Sequence, residues 1–397
     1  MFFSLGILLL IGWFGGWLFE KIRLPRLIFY LLLGIMFGPS LLAVWDESLL
    51  QISSYLRQMA LVIILTRSGL SLDFSILKKI GRSAVLMCFV PAVFEIIGIA
   101  VFAPLLLGIK IEEALLLGSV LGAVSPAIVV PRMISLQKQG YGQQHHVCEL
   151  IMAGASLDDV FVIVCFYAFK GLISTSSLDL MRFLDIPVSI GLGLLLGSLL
   201  ALFMWFLFKK IKLSFSFKTI LMLGMSFLML GIEECLKPYV SVSSLLGILW
   251  FSMVLYHFRK EDAKQIKKAY DGLWDGFEIL LFVLVGAIVS LDYAFSKEGA
   301  MLFGLILIGL VFRSIGVCVC VIRTLYTVKE KLFIILSYLP KATVQASIGG
   351  IALQEGLPCG EIILTGAVIA IIFTAPVGGI LMDCFYPKLL IKDTDLF

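Results

Sequence analysis

Thirteen apolar stretches follow one another along the chain, at about 1–19, 25–43, 56–69, 83–108, 111–131, 147–169, 186–208, 219–235, 241–257, 275–291, 301–322, 332–353 and 361–385. Most reach the roughly 20 residues that an α-helix needs to cross the hydrocarbon core of a bilayer. Lipid offers no water to unpaired backbone N–H and C=O groups, so helices are expected throughout. Only 15% of the residues are charged, against about 25% in an ordinary soluble domain. The chain is therefore predicted to be an all-α polytopic membrane protein, one membrane transport domain over 1–397 with thirteen transmembrane helices. The first nineteen residues lack a basic leader and an A-x-A cleavage site, which predicts a retained first helix. The longest polar stretch, HFRKEDAKQIKKAYDGLWDG at 257–276, is expected to be a surface helix or loop between two groups of helices.

Lysine and arginine are distributed unevenly over the connections. Of 31 such residues, 22 fall after odd-numbered stretches or in the C-terminal tail and 6 after even-numbered ones. The positive-inside rule then predicts the N-terminus outside and the C-terminus in the cytoplasm. A missed or spurious helix would invert the bias partway along, which favours thirteen crossings. Three basic residues fall in no connection: Arg67, near a helix end where it can snorkel, and Arg313 and Lys341, near mid-membrane.

Buried acids accompany them. Glu95 lies within LMCFVPAVFEIIGIAVFAP, and Asp158 and Asp159 lie within MAGASLDDVFVIVCFYAFKG. An unpaired charge at such a depth costs several kcal/mol, so opposites are expected to pair: Glu95 with Arg313, and one aspartate with Lys341. The stretches involved, fourth to sixth and eleventh to thirteenth, are offset by an odd number. Matching members would thus cross in opposite directions, as in an inverted repeat.

The fifth stretch contains LLLGSVLGAVSPAIVVPRM, where Pro126 and Pro131 each remove a helix hydrogen bond and a continuous helix through 122–131 is not expected. Freed carbonyls inside a membrane must face protein or a watery cavity, and half-helix ends there are ready ion sites. A weaker interruption is expected at Pro340 in IILSYLPKATVQASIGG, and another at IIFTAPVGGI; either can be the mate of the first. Adjacent residues on a helix point about 100° apart, so one aspartate can meet a lysine while the other faces a cavity. A carboxylate that a small cation and a proton occupy in turn, open to one side at a time, gives exchange.

The stretches LGAVSPAIVVPRM, GASLDDV and LPKATVQASIGG, in this order and spacing, resemble the monovalent cation:proton antiporters, and among them the NHA-type sodium/hydrogen exchangers and their bacterial relatives. The resemblance covers essentially the whole chain. It implies a homodimer with discontinuous crossing helices, an ion-translocating core at 83–169 and 301–385, and mainly dimerisation and linking helices at 1–69 and 186–291, working by elevator-type alternating access. It implies Asp159 and Asp158 as the carboxylates for proton and transient monovalent cation, Lys341 as partner of the first aspartate, Glu95 with Arg313 as a structural ion pair, and Ser125 with Pro126 in the unwound stretch. The expected partners are H+ and Na+ or Li+, with K+ left open, in a bacterial inner membrane among its lipids. No cofactor and no nucleic acid are expected, nor the long regulatory tail of some members.

Two other transport classes share parts of this pattern. A potassium efflux-type domain remains the alternative, while an organic-anion symporter would need donors where this chain offers carboxylates. An enzyme has no nucleophile–base or metal-ligand set to draw on. His145 and His146 are expected to be an exposed loop pair, and Gly193 and Gly197 to allow close helix contact.

Overall fold

The computed structural model of the chain describes residues 1–22, 24–71, 81–173, 185–211, 213–236, 240 and 242–392. Of the basic residues that set the predicted topology, Arg23, Lys78, Lys79, Arg182, Lys212 and Lys237 lie outside them. Among the described residues every regular element is a helix, apart from one antiparallel bridge between Tyr141 and Lys392. Each of the thirteen apolar stretches is helical over most of its length. Among the described residues eight spans, with Arg82–Leu107 and Ile111–Lys138 each counted as one, are long and apolar enough to cross a membrane; Arg26–Phe37 and Ser244–Phe258 are shorter apolar helices.

Proline decides where two of the stretches break. The helix Ile111–Leu121 stops, residues 122–125 are not helical, and Pro126 opens the next helix, Pro126–Lys138. Proline suits a first helical position, where its missing N–H is not needed, and it pushes the preceding residue out of the helical region. Ser125 accordingly sits at φ −88° and ψ 108°. The same logic acts before Pro340: Val328–Ser337 ends, and helix resumes only at Thr343–Ile348. This corrects the expectation for Pro131, which lies inside Pro126–Lys138 without ending it. The helix Gly360–Leu389 likewise runs through Pro376, so of the two interruptions expected in the second half only the one at Pro340 is present. It meets the 122–125 interruption directly, the Ser125 N–H donating to the Pro340 carbonyl at 2.8 Å.

The polar stretch at 257–276 belongs almost wholly to the helix that follows it, Lys260–Ala287. Its buried residues Ala263, Ile266, Tyr270 and Trp274 recur at three or four residues and form one face, whereas every residue from Glu278 to Ala287 is buried. One helix thus changes from surface to core along its length.

Val90–Leu107 packs along Lys297–Cys320, and Ile111–Leu121 against Val147–Ile173. Elsewhere Arg26–Phe37 and Ser53–Gly69 pack on Lys260–Ala287, and Asp185–Lys210 on Ser244–Phe258. In the last pair Gly193 and Gly197 lie directly against the backbone of Ser243 and Gly247, so that their close contact is within the chain. A side chain at Gly197 would press on a carbonyl that has no room to move. Gly197→Val is expected to destabilise the protein by about 1–3 kcal/mol, read as a lower temperature for loss of the monodisperse peak in detergent.

Candidate ion-binding site

The two interruptions leave carbonyls without helical partners, and buried side chains take them up. Lys341 Nζ donates to the Leu121 carbonyl and Arg313 Nη1 to that of Gly122. Gln345 Nε2 donates to the Ala123 carbonyl at 2.9 Å, and Arg313 Nε to that of Tyr338 at 2.8 Å. The Lys341 N–H donates to Thr374 Oγ1 at 2.9 Å. An unsatisfied backbone group in this setting costs several kcal/mol, so these side chains are what allow the chain to unwind at mid-depth.

The same cations hold carboxylates. Arg313 lies 3.0 Å from Glu95 Oε2 through Nη1 and 2.7 Å from Asp158 Oδ2 through Nη2. Lys341 Nζ lies 2.7 Å from Glu95 Oε1. Asp158 Oδ2 also accepts from the Val124 N–H at 2.9 Å, tying the aspartate helix to the first interruption. All four side chains are buried. Room for Glu95 comes from Gly309, where an added Cβ would stand 3.1 Å from Glu95 Oε1. Two cations and two carboxylates therefore balance within one cluster.

Asp159 is outside that balance. Of the buried carboxylates among the described residues, it is the one with no basic group within 4.0 Å. It is 7% exposed where Asp158 is 0% exposed, and it forms part of the wall of a cavity of about 940 Å³. Ser156, Pro126, Ala127 and Thr343 lie on the same wall, and Arg67, Asp271 and Glu278 line the cavity from Ser53–Gly69 and Lys260–Ala287. A second, much smaller cleft of about 80 Å³ lies at the opposite ends of the same helices, with Arg57, Tyr167, Lys170 and Glu233 in its lining. Leu249 and Met253, packed on Leu157 and Val160, form a separate apolar cluster beside the aspartates.

Glu95, Ser125, Pro126, Asp158, Asp159, Arg313, Pro340 and Lys341 are thus brought together, while Pro131 sits five residues into its helix on the cavity wall. The expected pairing of Lys341 with an aspartate is corrected. Lys341 pairs with Glu95, and Asp158 is taken by Arg313, because a planar guanidinium with five donors serves two carboxylates and two carbonyls at once. Sequence reading did not single out Thr343, Gln345 or Ser156. The first two follow Lys341 within ATVQ, where polar residues beside a predicted break were the available signal. His145 is no idle loop residue either: Nδ1 lies 2.9 Å from the buried Glu330, whose other oxygen accepts from the Thr327 N–H at the start of Val328–Ser337.

Two unwound stretches crossing at a buried cluster of acids and bases, with one carboxylate left to a cavity, define a membrane protein built to handle cations. The family model described as "Sodium/hydrogen exchanger, transmembrane" matches residues 6–385. The chain belongs to this family. Sodium/hydrogen exchanger 9B2 of Homo sapiens is 34% identical over 349 residues, covering 86% of this chain and 65% of that protein. The Mus musculus 9B2 is 32% identical over 396 residues, covering 95% and 72%. The chain therefore spans about two thirds of the length of such relatives. The structure of MjNhaP1 from Methanocaldococcus jannaschii, described as a sodium proton antiporter, has the same fold, with a TM-score of 0.81 at 21% identity over 97% of each chain.

The shared use of Glu95 by both cations makes it the costlier of the cluster's two carboxylates to neutralise. Glu95→Gln leaves Lys341 without its counter-ion and is expected to destabilise by about 3–5 kcal/mol. The double variant Glu95→Gln, Lys341→Gln should recover much of that loss, measured by thermal unfolding in detergent.

Proposed function

We propose that the protein is a secondary active antiporter that exchanges Na+ or Li+ for H+, with Asp159 as the group that takes cation and proton in turn. The observation that carries this reading is that Asp159 is buried, faces the large cavity and has no basic partner among the described residues. Asp158 positions the site through Arg313 and Val124, and Ser125 and Thr343 stand beside it as oxygen donors. Family membership and the exchanger relatives support transport as the activity.

The unequal clefts support alternating access. Both lie between the helices at 83–169 and 301–385 and those at 1–69 and 186–291, one wide, the other nearly closed. In our reading the first set is the ion-translocating core, moving as an elevator against the second within a homodimer. The wide cleft opens beside Glu20, Leu24, Pro25, Arg26, Arg67, Ser71, Lys267 and Asp275, in stretches that the charge bias assigns to the cytoplasm. The reading is thus of an inward-open state in a bacterial inner membrane, with the N-terminus outside and thirteen crossings. A potassium/proton antiporter is the alternative, since a carboxylate alone does not set the size of its cation.

Lys341 bears on stoichiometry. Its partner is Glu95, so a cation arriving at Asp159 has no lysine to displace, and one proton is exchanged per cation. Reconstituted protein should therefore dissipate a preset pH gradient on addition of Na+ or Li+, at a rate independent of clamped voltage. A voltage-dependent rate would refute the one-for-one ratio. Asp159→Asn is expected to reduce the cation-dependent rate at least about a hundredfold, on the scale of losing a group essential to each turnover; retention of a substantial fraction of the parent rate would mean that another group binds the ion.

A further inference from the structure

The ion pairs do not use every buried polar atom around the first interruption. Asp158 Oδ1, Asp159 Oδ1, Ser125 Oγ and Gln345 Oε1 are all buried and accept no hydrogen bond from the described residues. These atoms belong to one neighbourhood, because their residues are tied to three consecutive positions. Gln345 Nε2 reaches the Ala123 carbonyl, Asp158 Oδ2 accepts from the Val124 N–H, Ser125 is the third position, and Asp159 follows Asp158. The orientation of the Gln345 amide is fixed by its partner. Ala123 presents an acceptor, so the amide nitrogen must face it and the oxygen must turn away.

Leaving an amide oxygen buried without a donor is unfavourable, and placing it near other oxygens in the same condition compounds the cost. Acceptors gathered without donors are compensated when a cation exchanges its hydration shell for them. The two kinds of oxygen differ in one respect that matters for exchange. A carboxylate takes either a cation or a proton, whereas an amide oxygen is too weak a base to take a proton near neutral pH. A ligand of the second kind discriminates between the two.

We propose that Gln345 is a specificity-determining residue, whose Oε1 is the neutral oxygen ligand of the transported cation once the ion has passed from the cavity wall at Asp159 into the crossing. This rests on the antiport reading above. Gln345 strengthens cation binding without touching proton binding, and the reach of its side chain sets the size of cation accepted.

The test uses the full-length protein in proteoliposomes, with initial rates of pH-gradient dissipation measured against Na+, Li+ and K+ concentration for the parent, Gln345→Met and Gln345→Asn. Methionine matches glutamine in length and lacks both the oxygen and the N–H that reaches Ala123; asparagine keeps the amide and withdraws it by one methylene. Gln345→Met should raise the apparent KM for Na+ and Li+ about tenfold, the loss of one buried polar contact, and leave the pH dependence of the rate unmoved even where loss of the Ala123 contact lowers the maximal rate. Gln345→Asn should shift the KM ratio between Li+ and Na+ at least about threefold in favour of the larger ion. A role confined to the Ala123 hydrogen bond would lower the maximal rate for all cations equally and leave the KM ratio unmoved, which would overturn the assignment. Should the methionine variant fail to assemble, the asparagine ratio decides alone. A parent that shows no cation-dependent proton movement would bring down the antiport reading itself, whereas an active parent with unaltered selectivity in the variants would remove Gln345 only.

Discussion

The Arg313 guanidinium is the contact on which the rest of this structure depends. It joins Glu95, Asp158 and the carbonyls of Gly122 and Tyr338, which belong to four separate segments of chain. Bringing a guanidinium out of water carries a penalty of several kcal/mol, and one or two ordinary hydrogen bonds would not offset it. Four acceptors, two of them charged, do. The penalty is met only when all four segments are in place, so the cation specifies one arrangement of the helices as well as stabilising it. Lysine at this position, with three donors and no planar fork, would leave at least one acceptor unmet.

Unwinding and charge burial solve each other's problem. A helix that stops at mid-depth has carbonyls without donors, and a buried lysine or arginine has donors without acceptors. Here the carbonyls of Leu121, Gly122 and Ala123 meet Lys341, Arg313 and Gln345. Neither feature would be tolerable alone in a membrane. The result is a rigid polar centre on which a carboxylate can be held within reach of water yet away from bulk solvent.

The composition of that centre was legible in the sequence, and its wiring was not. Glu95, Asp158, Asp159, Arg313 and Lys341 announce themselves because a charge within a long apolar run is too costly to be incidental. Pairing them one to one was the natural reading; its Glu95–Arg313 pair is present, but the Lys341–aspartate pair is not, because one arginine serves two carboxylates and one glutamate serves two cations. The carbonyl partners could not be read, since a backbone acceptor leaves no mark in side-chain identity. Proline was informative only with its context. Pro126 follows a residue that becomes extended and Pro340 lies where the preceding helix has already ended, while Pro131 and Pro376 fall within helices that neighbouring elements hold together. The polar run at 257–276 is the surface helix that was one of the two expected forms, but its continuity with the buried turns from Glu278 to Ala287 was hidden, its apolar face of Ala263, Ile266, Tyr270 and Trp274 being diluted by the charges between them.

For the exchange proposed above, with Asp159 as its ion site, charge balance gives a physical basis for obligatory coupling. Arg313 and Lys341 offset Glu95 and Asp158, so the cluster is neutral without Asp159. With Asp159 ionised and empty, one uncompensated negative charge remains in a region of low polarity. A bound cation or a bound proton restores neutrality, and the two together would overshoot it. Leaving one buried charge uncompensated costs about 3–5 kcal/mol, and each 1.4 kcal/mol is a factor of ten in population. Movement of an empty or doubly loaded site through the closed part of the cycle is thus about a thousandfold less favourable than movement of a singly loaded one. Coupling needs no separate latch in this account, because the fixed charges around Arg313 make the two unbalanced states the expensive ones.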